Sequence, residues 1–128
     1  MIQGVRTVIY YVKDLETAKA WYTEIFEKPP YFDEPFYVGF NIEGFELGLQ
    51  PDSKGENFDS NIIAYWGVKD ANTVYNNMLT KGCIPNEPIT DVGGGILLGT
   101  VIDPAGNVFG IIENPHFKYQ PPEEVTSA

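Results

Sequence analysis

Few side chains in this chain of 128 residues could do chemistry, and that scarcity narrows what the chemistry could be. There is one histidine, His116, and one cysteine, Cys83. A multi-histidine metal centre, an intramolecular disulfide framework and a Cys-rich zinc ribbon are therefore all out of reach. Cys83 has no base beside it and reads as an inert thiol. Gly93-Gly94-Gly95 is followed by neither a lysine nor a helix start, so it reads as a loop rather than a phosphate cradle. What remains is a carboxylate among tyrosines. Glu46 lies in Phe36–Gln50, a run in which apolar and polar residues alternate strictly. If that run is a hairpin with a two-residue turn at Glu43-Gly44, Phe40 opposes Leu47 and Val38 opposes Leu49. Phe36, Val38, Phe40, Ile42, Phe45, Leu47 and Leu49 then share one apolar face, and Tyr37, Gly39, Asn41, Glu46, Gly48 and Gln50 share the other. On such a face Glu46 can pair with a ligand amine or serve as a general base. Tyr11, Tyr37 and Tyr65 offer ring faces to a cation, and Thr7, Asn41 and Gln50 offer groups that orient a ligand. Gly39, Gly48 and Gly110, as glycines inside strands, mark bends or places of close approach. The expected ligand-binding set is Thr7, Tyr11, Tyr37, Asn41, Glu46, Gly48, Gln50, Tyr65 and Gly110.

The elements that must position these groups are written twice along the chain. VRTVIYYVKDLETAKAWYTEIF in the first half and NIIAYWGVKDANTVYNNMLTKG in the second each read as a strand, an N-cap and a helix. Both carry a V-K-D junction, at Val12-Lys13-Asp14 and Val68-Lys69-Asp70, 56 positions apart. Leu15, Ala18, Tyr22, Ile25 and Phe26 give the first helix an apolar face; Ala71, Val74, Tyr75, Met78 and Leu79 give one to the second. Gly82 ends the second helix, and the first stops before Pro29-Pro30. A hairpin follows each helix, the second turning at Asp103-Pro104-Ala105-Gly106. The first strand of each half alternates as well. Val8, Tyr10 and Val12 face the helix and Thr7, Ile9 and Tyr11 face away; Ile62, Ala64 and Trp66 face the helix and Ile63, Tyr65 and Gly67 face away. Each half is a β-α-β-β unit with room for one further strand. Val108 and Ile112 flank Gly110 on the non-helix side, so the second hairpin is apolar on both faces and must be covered on both. A cavity enclosed between the halves would do that, with the mixed polar and apolar lining of a small-molecule site.

Composition sets the outer bounds. Hydrophobic residues make up 43% and charged residues 20%, as in an ordinary folded domain. Eighteen acids against eight bases give a net charge of −10 and an isoelectric point near 4.3. That surface repels phosphate backbones and anionic membranes, which argues against nucleic acid as a partner; the charge fits either a solubilising surface or attraction for a cationic ligand, and composition alone does not separate the two. There is no apolar run long enough to span a membrane and no signal-peptide pattern in residues 1–30, so the expectation is a soluble, cytoplasmic chain with no membrane partner.

Together, Val12, Asp14, Leu15, Trp21, Tyr22, Phe26, Asp103, Pro104, Gly106 and Asn107 make a pattern that resembles the vicinal oxygen chelate superfamily. This is the group of glyoxalases, extradiol dioxygenases and bleomycin resistance proteins, and the resemblance covers residues 5–114. It implies an α+β fold with two tandem β-α-β-β-β modules forming a U-shaped, half-barrel sheet around a central cavity. The single domain would be residues 1–114, with modules of about 1–56 and 57–114, followed by a mobile acidic tail at 115–128 containing Pro121-Pro122-Glu123-Glu124. The resemblance also implies a homodimer. Metal-dependent members bind their ion at four positions, which fall here on Thr7, Ile63, Gly48 and Gly110. None of these is a histidine or a carboxylate, so no metal and no other cofactor is expected. Two functions follow. One is a metal-free small-molecule binding protein similar to the bleomycin resistance group, sequestering a cationic ligand. The other is a lyase, isomerase or dioxygenase, metal-independent with Glu46 as base or metal-dependent with relocated ligands.

Overall fold

Asp14 and Asp70 perform the same task in the two halves. Each has an extended backbone and accepts the N–H of the residue three positions on, Thr17 or Thr73, at 3.1 Å. These caps satisfy first-turn donors and start α1 (Leu15–Phe26) and α2 (Ala71–Thr80) directly after β1 (Ile2–Val12) and β5 (Ile62–Val68). The first helix ends with Glu27 left-handed at φ 56°, just ahead of the two prolines, and the second ends at Gly82 with φ 105°. The remaining strands are β2 (Phe32–Glu34), β3 (Tyr37–Ile42), β4 (Phe45–Pro51), β6 (Ile84–Asp91), β7 (Leu97–Ile102) and β8 (Val108–Glu113). The structure is a computed structural model that describes residues 2–52 and 62–118. The expected module boundary near 56 and the Pro121–Glu124 stretch lie outside the described residues.

All the strands belong to one mixed sheet in the order β2-β3-β4-β1-β5-β8-β7-β6. Within each half the first strand pairs in parallel with the last, β1 with β4 and β5 with β8. The halves join where β1 and β5 run antiparallel, within one chain. Each half is thus β-α-β-β-β, and the fold class is α+β as the sequence implied. The first hairpin turns through Glu43 (φ 53°) and Gly44 (φ 91°), and its register sets Phe40 against Leu47 and Val38 against Leu49. That two-residue turn with both residues left-handed matches the twist of the flanking strands.

Both helices pack on one face of the sheet. Tyr10, Val12, Leu15, Ala18, Tyr22, Phe26, Ile42 and Leu47 close around buried Val38, Phe40 and Leu49. In the second half, Val68, Ala71, Val74, Tyr75, Val101 and Ile111 form the corresponding core. Some residues depart from the expected helix-facing set: Ile62 is 47% exposed, Phe45 packs against Phe117, and Ile25 and Phe36 lie off the helix-facing core as well. Ile25 is exposed because the contact stripe of α1 is centred on Leu15, Ala18, Tyr22 and Phe26; Ile25 sits on its flank with Trp21, and both are 55% exposed. Phe36 lies outside β3, in the turn after β2, because Glu34 already pairs with Tyr37; its ring packs edge-on against Phe32 instead. Trp66 stacks on Phe109, with ring centroids 5.9 Å apart.

Candidate functional site

The opposite face of the sheet carries the polar groups, and the register aligns them in one row. Successive partners across the strands are Asn41, Glu46, Thr7, Tyr65, Gly110, Thr100 and Glu87. Thr7 and Thr100 are the buried polar residues of the described chain, and both stand in this row. Residues directly opposite on paired strands share a face, so the row is a continuous polar track through a mostly apolar surface. Beside it Ile9, Tyr65 and Ile112 form a third buried cluster, flanked by Tyr11, Tyr37, Ile63, Ile96 and Leu98.

Glu46 is the centre of the polar network. Its Oε1 accepts from Tyr37 Oη at 2.8 Å and from Thr7 Oγ1 at 3.4 Å, and its Oε2 accepts from the Tyr31 hydroxyl. Three O–H donors hold one carboxylate in place. Burial, reinforced by the Glu46 charge, pushes the Tyr37 phenol far above its ordinary value. Tyr31 moves the same way, from burial and then its hydrogen bond to Glu46. Both phenols therefore stay protonated and remain donors at neutral pH. Burial also raises the Tyr11 phenol and the Glu87 charge raises it further; Tyr65 is raised by burial, then by Tyr11 and Glu87.

The interior glycines are explained by these same rings. A Cβ at Gly48 would fall on the Tyr37 hydroxyl, and one at Gly110 would stand 2.6 Å from the Tyr65 ring and 2.7 Å from the Ala64 carbonyl oxygen. At Gly39 a Cβ would stand 2.8 Å from Glu46 Oε2 and 3.1 Å from the Tyr31 ring. The glycines give up side-chain volume so that Tyr37, Tyr65 and Tyr31 can lie flat across neighbouring strands.

Where β4 begins alongside β1, the surface opens into a cavity of about 680 Å³ whose lining includes Gln3, Arg6, Val8, Phe45, Glu46 and Phe117. Two irregularities in β1 shape it. Val5 and Thr7 oppose the consecutive residues Trp66 and Tyr65, and Ile2 and Gly4 oppose Val68 and Gly67, so Gln3 and Arg6 are the extra residues of two β-bulges. Bulges re-aim side chains, and both of these residues line the cavity. The Arg6 stem lies over Gly67, where a Cβ would come within 2.8 Å of Arg6 Cγ. Its guanidinium stacks 3.8 Å from the Phe117 ring centre and donates to the Gln3 carbonyl at 3.3 Å. Residues 115–118 fold back onto the body here. The backbone N–H groups of His116 and Phe117 bond to Asn114, His116 Nε2 lies 2.7 Å from the Gly94 carbonyl, and Phe117 packs against Phe45.

Of the expected ligand-binding set, Thr7, Tyr37 and Glu46 form one hydrogen-bonded group, and Gly48 underlies it. Tyr65 and Gly110 stack together farther along the row. Tyr11 and Gln50 pair opposite each other toward the end of β1. Asn41 is exposed, and its Oδ1 accepts the Gly44 N–H at 2.9 Å, which ties it to the hairpin turn. Sequence reasoning missed Tyr31, Arg6, Gln3, Phe117, Thr100 and Glu87. Glu87 and Thr100 were findable had Ile84–Asp91 been read as an edge strand despite Pro85 and Pro88, since edge strands tolerate proline. The bulges that re-aim Gln3 and Arg6 left no local signature beyond Gly4.

No protein-family model matches the sequence, and no curated protein matches it. Solved structures do match. A Streptomyces coelicolor methylmalonyl-CoA epimerase in complex with 2-nitronate-propionyl-CoA superposes with a TM-score of 0.75 at 11% identity, over 90% of this chain and 99% of that one. A glyoxalase/bleomycin resistance protein/dioxygenase superfamily member from Vibrio splendidus 12B01 gives 0.64 at 14%, over 89% and 100%. The fold is the vicinal oxygen chelate fold. A third structure of this fold, the Mn(II)-bound glyoxalase from Novosphingobium aromaticivorans, gives 0.71 at 17% over 97% of this chain, which spans 43% of that one. The four positions that the resemblance assigns to a metal are Thr7, Gly48, Ile63 and Gly110, and tyrosine rings cover both glycines. One hydroxyl and no imidazole or carboxylate is a donor set that does not fit a divalent ion. Among the described residues, no three His, Cys, Asp or Glu side chains stand together as a metal site, and no helix is long and apolar enough to cross a membrane.

Proposed function

We propose that this chain is a metal-free small-molecule binding protein whose ligand presents an ammonium or similar cationic donor to Glu46. The observation that carries the reading is the Glu46 carboxylate, fixed by Thr7, Tyr31 and Tyr37 on the wall of an open 680 Å³ cavity. A carboxylate that already accepts from three hydroxyls keeps its place, which suits charge-assisted binding. The net charge of −10 adds a long-range attraction for such ligands.

The test is a thermal-shift panel of aromatic and aliphatic amines, divalent metals and CoA esters against the wild type and Glu46→Gln. A ligand at 100 times its Kd stabilises the folded state by about 2.7 kcal/mol, enough for a clear shift. The expected result is a response to cationic compounds that Glu46→Gln removes. A response to Zn, Mn or Ni, abolished by chelator, would contradict it. Catalysis by Glu46 as a base has a separate signature: turnover collapses in Glu46→Gln while binding of a neutral ligand barely changes. We also propose a homodimer, following the resemblance. The exposed Trp21 and Ile25 on α1 support it, and a monomeric mass by light scattering at micromolar concentration would contradict it.

A further inference from the structure

One cavity holds two opposite charges that do not pair with each other. Glu46 is held back by three hydroxyls, and Arg6 is seated on the Phe117 ring and the Gln3 carbonyl. Among the described residues Arg6 makes no ion pair; the salt bridges there both belong to Lys19. The position of Arg6 is built rather than incidental. A bulge pushes it out of the β1 register, Gly67 makes room for its stem, and an aromatic ring takes the flat face of the guanidinium. Seating on a ring fixes the plane of the guanidinium, one N–H is taken by the Gln3 carbonyl, and the remaining donors can reach a carboxylate or phosphate. The same cavity lining includes the apolar residues Val5, Val8, Phe45 and Phe117.

From this we infer that the cavity takes a zwitterion, an amino-acid-like molecule with an ammonium group toward Glu46, an acidic group toward Arg6 and an apolar side chain against Phe45 and Phe117. The inference rests on the reading of Glu46 as the cationic pole and adds to it the anionic pole and the class of ligand. Burial lowers the Arg6 pKa from its ordinary value, the direction expected of a cation that has lost part of its water.

Isothermal titration with phenylalanine, its methyl ester and its N-acetyl derivative separates the poles. The ester keeps only the cation and the N-acetyl compound only the anion. Phenylalanine should bind about tenfold or more tightly than either, the worth of one charge-assisted contact. Arg6→Gln should reduce phenylalanine to the level of the ester, and Arg6→Lys should recover part of the loss by restoring charge without the planar fork. Glu46→Gln should do the converse, bringing phenylalanine down to the N-acetyl derivative. Circular dichroism on each variant confirms that the fold is kept. An ester that binds as tightly as phenylalanine, indifferent to Arg6→Gln, overturns the zwitterion and leaves the Glu46 reading standing. An N-acetyl derivative that binds as tightly as phenylalanine, indifferent to Glu46→Gln, overturns both. No binding by any of the three at about 10 mM, where even a millimolar Kd would register, overturns the inference.

Discussion

The two modules share a plan and have diverged in what they do with it. In module two the helix is anchored. Ala71, Val74 and Tyr75 are buried under α2, and the Ala71 N–H bonds to Glu113 Oε1 on β8 at 2.9 Å. In module one α1 buries no residue completely, and Trp21 and Ile25 face solvent beside it. The polar row differs the same way. Thr100 is 1% exposed and acts as an acceptor for the Asn86 side chain and the Glu87 N–H, which fastens β6 to the sheet. Thr7, on β1 of module one, donates to Glu46 and so holds a charged group on the cavity face. A duplicated unit can divide its labour: module two buries its helix more fully, and module one holds a half-buried carboxylate beside the cavity.

The largest expected stability difference is between the two covered glycines. Gly110→Ala drives a methyl into the Tyr65 ring and the Ala64 carbonyl, and a backbone oxygen cannot step aside; the cost should be about 3 kcal/mol. Gly48→Ala meets only the outer end of Tyr37, which can swing away at about 1 kcal/mol while releasing its bond to Glu46. Chemical denaturation of both variants checks this, and equal losses would erase the contrast between scaffold and site. Next come the threonines. Thr100→Val strands two donors and should cost about 1–2 kcal/mol, whereas Thr7→Val removes one long hydrogen bond and should cost under about 1 kcal/mol. Replacing the two caps should reveal no asymmetry at all. Asp14→Ala and Asp70→Ala should each lose about 1 kcal/mol, because their geometry is the same.

The smallest effect at neutral pH belongs to the tyrosines. The folded-state pKa values of Tyr31, Tyr37 and Tyr65 are raised, so the stability they contribute is fully present below the unfolded value of about 10 and is lost as pH rises above it. Ultraviolet titration of phenolate should therefore show a group of tyrosines that ionises only as the protein unfolds. Tyr37→Phe should shrink that group, and a single ordinary titration near pH 10 would contradict the buried network.

How much of this could be read in the sequence followed from periodicity. The V-K-D junctions, both helices and the hairpin register of Val38–Leu49 came from alternation and capping, which are local. The same alternation placed Glu46, Tyr37 and Thr7 on one face. Phe36 failed because a two-residue turn interrupts an otherwise perfect alternation, and Ile25 failed because a helix can rotate its apolar stripe by a fraction of a turn without changing its sequence. Tyr31 reaches Glu46 from a segment after two prolines with no period of its own. Arg6 is aimed by a bulge, which exists only in the pairing of β1 with β5. Glu87 was hidden by the prolines of its strand. Each missed group depends on a partner distant in sequence, whereas each group found depends on its neighbours.

The measurement that bears most directly on the role of Glu46 is isothermal titration of one cationic ligand against wild type, Glu46→Gln and Glu87→Gln. Removing the fixed charge at Glu46 should weaken binding by about ten- to a hundredfold, the worth of a charge-assisted hydrogen bond. Removing the exposed charge at Glu87 should change it by no more than about threefold, as for a charge at the rim of a site. Equal losses, or the larger loss at Glu87, would place the ligand in module two and contradict the division of labour between the modules.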